Sequence, residues 1–95
     1  MTDECYIARK NVVDCDIGGE RALLHLDHNT YFTVNQTATL LWLSLSEPKT
    51  IDELVSVMTE TFDVEPDLAR SDIQTLLQAM ADEEIVETVS RQDVR

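Results

Sequence analysis

Alternating apolar and polar positions fill the early part of this chain, and a helical period takes over after residue 35. Val13, Cys15 and Ile17 share one parity and Asp14 and Asp16 the other, which predicts a strand over 12–17. Gly18-Gly19 marks a turn, and 21–26 (RALLHL) reads as a second strand. Asp27-His28-Asn29-Thr30 is a second turn, because Asp and Asn tolerate turn geometry and positive φ. Tyr31-Phe32-Thr33-Val34 is aromatic and β-branched, as a pleated surface favours, and forms the third strand. Three strands joined by short turns make an antiparallel meander whose first and third strands are both edges.

The third strand runs into a helix without a linker. Asn35 stands where a side-chain oxygen caps new helical N–H groups, and Ala38, Leu41, Trp42 and Leu45 follow at helical spacing. This first helix is expected over 36–45 and must end before Glu47-Pro48. Thr50-Ile51-Asp52-Glu53 has the form of a capping box and opens a second helix, with Ile51, Leu54, Val55, Met58 and Phe62 on one face. After the connector 63–66, a third helix begins near Pro66 or Asp67, with acids in its first turn. Its apolar stripe of Leu68, Ala69, Ile73, Leu76, Leu77 and Met80 is wider than a surface helix needs. Ile85-Val86 adds a short extended piece. These elements describe an α+β, winged helix-turn-helix-like domain: a three-stranded antiparallel sheet followed by three α-helices. It is expected to be one domain over residues 1–95, with 1–10 loosely ordered because they show no clear period and 90–95 because they form a charged tail.

Composition narrows the function. Forty-three per cent apolar residues suffice for a core, and two Gly and two Pro argue against disorder. No run approaches the ~20 apolar residues of a membrane span, and the N-terminus MTDECYIARK lacks the apolar region of a signal peptide. Cys5 and Cys15 then read as reduced thiols of a cytoplasmic protein, without CxxC or a matching His pair to hold a metal. The net charge is −12: residues 1–46 carry six acids and three bases, residues 47–95 thirteen acids and four bases. A phosphate backbone would be repelled by the helical half, so basic or apolar partners are expected, and no nucleic acid. The acids also keep a small domain soluble, which accounts for part of the imbalance.

Catalytic chemistry finds little to use. His25 lies on a strand and His28 in a turn, and no Ser or Cys sits in a nucleophile motif. There is no glycine-rich phosphate loop, no HExxH and no EF-hand spacing, and the carboxylates are spread over helix surfaces. No enzyme activity, cofactor or metal is expected. A DNA-reading third helix would need basic or amide side chains, yet Asp67, Arg70, Asp72, Gln74 and Gln78 include one base. An acyl carrier would need a serine opening a helix, whereas Ser71 follows Arg70 inside one. What remains is the edge strand, which carries no Lys or Pro to block pairing. It could accept an extended peptide, be covered by the N-terminal segment, or join a homodimer partner, and the residues leave these open.

Taken in order, several stretches resemble the PqqD-like family. They are Leu23-Leu24-His25-Leu26-Asp27, Tyr31-Phe32-Thr33-Val34-Asn35, Thr37-Ala38 and Leu41-Trp42. Thr50-Ile51-Asp52-Glu53-Leu54, Phe62-Asp63-Val64 and Asp72-Ile73-x-x-Leu76-Leu77-x-x-Met80 continue the match, so the resemblance covers 12–87. The family comprises recognition elements for ribosomally made, post-translationally modified peptides, including the pyrroloquinoline quinone pathway chaperone and leader-binding proteins of lasso peptide clusters. The resemblance implies a non-catalytic domain that binds the leader of a precursor peptide and delivers it to a maturation enzyme (leader peptidase, cyclase or radical SAM enzyme). It implies that the leader adds as a strand to Thr30, Tyr31, Phe32, Thr33 and Val34, beside Asp72, Ile73, Leu76, Leu77 and Met80 of the third helix. Apolar residues at helical spacing are usually core, so Ile73, Leu76, Leu77 and Met80 have that role open to them as well. Tyr31 and Phe32 must point to opposite faces. Where the family often closes the third helix with Gly, this chain has Asp82-Glu83-Glu84, and the usual left-handed cap is expected to be missing.

Overall fold

The computed structural model describes residues 4–18 and 20–90. Strands β1 (Glu4–Ala8), β2 (Val12–Ile17), β3 (Glu20–His25) and β4 (Thr30–Val34) precede helices α1 (Gln36–Ser44), α2 (Ile51–Thr61) and α3 (Pro66–Asp82), and β5 (Val86–Ser90) follows. The three-stranded sheet has the order β2-β3-β4, antiparallel throughout, with Leu23 opposite Asp14 on one side and Phe32 on the other. The expected meander and the three helices after it are therefore present, and the architecture is α+β.

A second sheet stands where the sequence showed no period. β1 pairs antiparallel with β5, from Glu4 opposite Ser90 to Ala8 opposite Val86. Residues 4–8 are thus strand rather than loose chain, held by a segment far away in sequence, while 1–3 and 91–95 lie outside the described residues. The ribbon is tied down by Tyr6, which exchanges both backbone hydrogen bonds with Lys49, and by the Ala8 N–H donating to the Leu45 carbonyl. Tyr6, Ala8 and Val86 turn into the core.

Helix starts follow local chemistry. Asn35 Oδ1 accepts from the Ala38 N–H at 2.9 Å. Thr50 and Glu53 form the full reciprocal box, the Glu53 N–H donating to Thr50 Oγ1 at 3.2 Å and the Thr50 N–H to Glu53 Oε1 at 2.9 Å. Pro66 opens α3. The end of α3 corrects one expectation: a left-handed cap is present, with Glu84 at φ 59° in the place glycine usually takes. The Ile85 N–H donates to the Met80 carbonyl at 2.7 Å and the Glu84 N–H to the Ala81 carbonyl at 3.0 Å, the two bonds of a Schellman closure. Asn29, at φ 57°, supplies the positive φ expected of the β3–β4 turn.

The core sits between the inner sheet face and the helices: Leu23, Leu41, Leu45, Leu54, Ile73, Leu77, Met80 and Ile85 have essentially no solvent contact. Val12, not the Val13/Cys15 parity, is the β2 side chain that enters this core. Val13 is exposed on the opposite face, across from Leu24, which in turn lies opposite Tyr31. Among the described residues, no helix is long and apolar enough to cross a membrane.

Candidate functional site

The site is built at the corner where β4 becomes α1. Only one edge of β4 is paired, with β3; among the described residues no strand lies along the other. Its backbone groups on that side are available to another chain. The strand is stiffened by two aromatic and three β-branched residues, and the Asn35 cap fixes the angle at which it enters α1.

Beside this edge lies an open groove of about 370 Å³, lined by Glu20, Phe32, Thr33, Val34, Asn35, Ala38 and Leu76. Ala38, nearly buried in the first turn of α1, gives depth because its side chain is a single methyl. Leu76 comes from α3 and is half-buried, packed against the core but open toward the groove. Glu20 brings one carboxylate to the end of the groove, and Asp72, one helical turn before Leu76, is exposed on α3. Arg21 sits opposite Val34 in register, but its guanidinium is engaged by Asp14 of β2. Glu20 is thus the charged residue that lines the groove.

The ten residues singled out from sequence divide by burial. Thr30, Tyr31 and Thr33 are exposed, Tyr31 at 59%, while Phe32 and Val34 turn inward and pack on the core. Phe32, Thr33, Val34 and Leu76 are the four brought together in the groove. Ile73 and Met80 have 0% exposure and Leu77 2%, so these three α3 side chains belong to the core and back the groove from beneath. Burial accounts for Ala69, Ile73, Leu77 and Met80 of the stripe, with Leu76 on its margin and Leu68 exposed. Sequence reasoning passed over Glu20 and did not place Asn35 and Ala38 in the groove. Their signal was only their adjacency to the edge strand in register and sequence, which does not reveal that α3 closes the far side.

Other titratable clusters stay outside the groove. His25 is 1% exposed, and its Nδ1 accepts the His28 N–H at 3.3 Å. Among the described residues, no three His, Cys, Asp or Glu side chains are placed to hold a metal ion.

The chain is similar to known proteins in sequence and in fold. The family described as Coenzyme PQQ synthesis protein D (PqqD) matches residues 20–86. A solved structure, TbiB1 in complex with the TbiA(beta) leader peptide, is similar at 30% identity and TM-score 0.74, covering 85% of this chain and 94% of that one. Lasso peptide synthetase B1 complexed with the leader peptide is similar in fold at 20% identity and TM-score 0.73, covering 86% and 96%. The PqqD truncation of Methylobacterium extorquens PqqCD, a stand-alone recognition element, matches in fold at 16% identity and TM-score 0.72, covering 87% and 88%. Among curated proteins, none matches the chain.

Proposed function

Since the chain belongs to the PqqD family, we propose that it binds the leader segment of a ribosomally made precursor peptide, without catalysis of its own. The observation that carries this reading is the unpaired edge of β4 beside a groove that mixes apolar and polar side chains. In strand addition, main-chain hydrogen bonds from Thr30–Val34 set the register of the leader, and alternate leader side chains reach opposite faces. One set enters the groove formed by Phe32, Val34, Ala38 and Leu76. The other meets Tyr31 on the outer face, with Thr33 at the groove's edge and Asp72 exposed nearby on α3. Ile73, Leu77 and Met80 hold α3 at the distance that keeps the groove open.

The carboxylates of Glu20 and Asp72 favour a leader with a basic residue near its apolar anchor. A nanomolar to micromolar complex corresponds to about 8–12 kcal/mol. The bound leader is then presented to a maturation enzyme in a cytoplasmic pathway, a leader peptidase, cyclase or radical SAM enzyme.

The test is an amide NMR titration with the leader segments of candidate precursor peptides. Shifts concentrated on Thr30–Val34 and on the exposed face of α3 around Asp72 and Leu76 are expected. A well-folded sample whose β4 resonances stay still with every leader would remove the proposal.

A further inference from the structure

A second groove, of about 530 Å³, lies between the β1–β5 ribbon and the C-terminal end of α1. Its apolar lining comes from Ile7, Ala8 and Val89 over the buried Leu45, and its rim carries Arg9 and Lys10, with Glu87 as the acid among its lining residues. None of the β4 residues lines it, so it is a separate surface.

Charge distinguishes this face from the rest of the molecule. The chain is −12 overall, and its described residues include five bases: Arg9, Lys10, Arg21, Lys49 and Arg70. Arg21 is engaged by Asp14, and Arg70 by Asp52 at 2.6 Å. The other three are in no ion pair among the described residues, and all three flank β1: Arg9 and Lys10 follow it directly, and Lys49 bridges Tyr6. Arg9 Nε is also shielded from solvent and has no hydrogen-bond partner. A shielded guanidinium nitrogen left without an acceptor is costly, and a carboxylate is its best partner. Two of the three bases, Arg9 and Lys10, line the cleft.

We propose that this groove docks an extended, acidic segment of a protein partner, whose apolar side chains enter between Ile7 and Val89 while its carboxylates meet Arg9 and Lys10. The proposal is independent of strand addition at β4. It gives the molecule two faces of opposite charge, one acidic beside β4 and one basic beside β1, so two different chains can be held at once.

The experiment uses the whole protein and two synthetic probes, acetyl-Val-Glu-Val-Glu-Val with a free carboxylate and its Lys-for-Glu counterpart. Amide NMR titration with the acidic probe is expected to shift the amides of residues 7–11, Ser46, Glu87 and Val89, with an affinity in the region of about 1 mM. The basic probe should leave them unmoved. Lys10 is exposed, so Lys10→Gln keeps the fold and is expected to weaken the acidic probe about threefold, and Arg9→Gln with Lys10→Gln about tenfold. Raising the salt should weaken wild type more than the double variant. Equal response to both probes, silence of this face, or insensitivity to Lys10→Gln would overturn the proposal. So would concentration-dependent self-association of the protein alone that Lys10→Gln abolishes, since a second copy would then be the occupant.

Discussion

His28 Nε2 lies 3.2 Å from Glu84 Oε2, so the turn that precedes β4 is joined to the residue that closes α3. His28 is also stacked on buried His25, ring centroids 4.0 Å apart and planes within 4°. Glu84 is in the left-handed region at φ 59°, a conformation that costs a side-chain-bearing residue about 1 kcal/mol. The cost is offset by the Schellman bonds, by the burial of Ile85 that they bring about, and by the contact with His28. Glu84→Gly and Glu84→Ala both delete the carboxylate and differ only in backbone tolerance. The glycine variant is therefore expected to be more stable than the alanine variant by about 1 kcal/mol, read as the difference in urea midpoints at constant m.

Leu76 and Leu77 are neighbours with opposite roles. Leu77→Ala opens a cavity in the core and should cost about 2–5 kcal/mol of stability. Leu76→Ala removes a groove wall from a half-buried position. Its expected effect is a loss of about tenfold in leader affinity, about 1.4 kcal/mol, with a much smaller change in unfolding midpoint. Isothermal titration and urea denaturation on the same two variants separate the effects.

The box at the start of α2 sets its stability locally. Thr50→Ala removes the acceptor for the Glu53 N–H and should destabilise the protein by about 1 kcal/mol in thermal or urea unfolding. Thr50→Ser should restore most of it.

Tyr6 adds an alkaline dependence to stability. Burial, and secondarily the Glu4 carboxylate, raise its phenol above the ordinary value of 10.0. Because the folded form holds the proton more tightly than the unfolded chain, this contribution is fully present below pH 10 and is lost as pH rises through the raised value. Tyr6→Phe cannot ionise, so its stability should fall less steeply than wild type above pH 10. Urea midpoints measured from pH 8 to 11, about the range needed, would show the difference.

What the chain reveals in one dimension is what its neighbours in sequence decide. Asn35 and the Thr50–Glu53 pair are legible because a cap involves residues three apart. Asn29 is legible because turn chemistry is local. β1 is not, and β5 only in the short extended piece at Ile85-Val86, since each is a strand by virtue of the other, and Tyr6 finds Lys49 through the fold of everything between them. Glu84 misleads for a related reason. A rule that asks for glycine does not see the bonds to Met80 and Ala81, or His28 arriving from the opposite end of the sheet. At the candidate site the edge strand could be read directly, while the share of α3 that lines the groove could not. Helical spacing puts Ile73, Leu76, Leu77 and Met80 on one stripe, and only the position of the sheet leaves Leu76 at its margin.

The pairing of Glu4 with Ser90 has a consequence for the order in which the molecule assembles. The β2–β3–β4 meander closes short loops, whereas the β1–β5 ribbon closes almost the entire chain, at an entropic cost about 2 kcal/mol greater. The ribbon should zip last on folding and open first on fluctuation, ahead of global unfolding. The Cys5 thiol, fully buried on β1, is a natural reporter. Its labelling by a thiol reagent should proceed through a partial opening that leaves the amide protons of Leu23, Leu41 and Ile73 protected. A basic face carried on the last ribbon to close is thus completed only after the acidic one is in place.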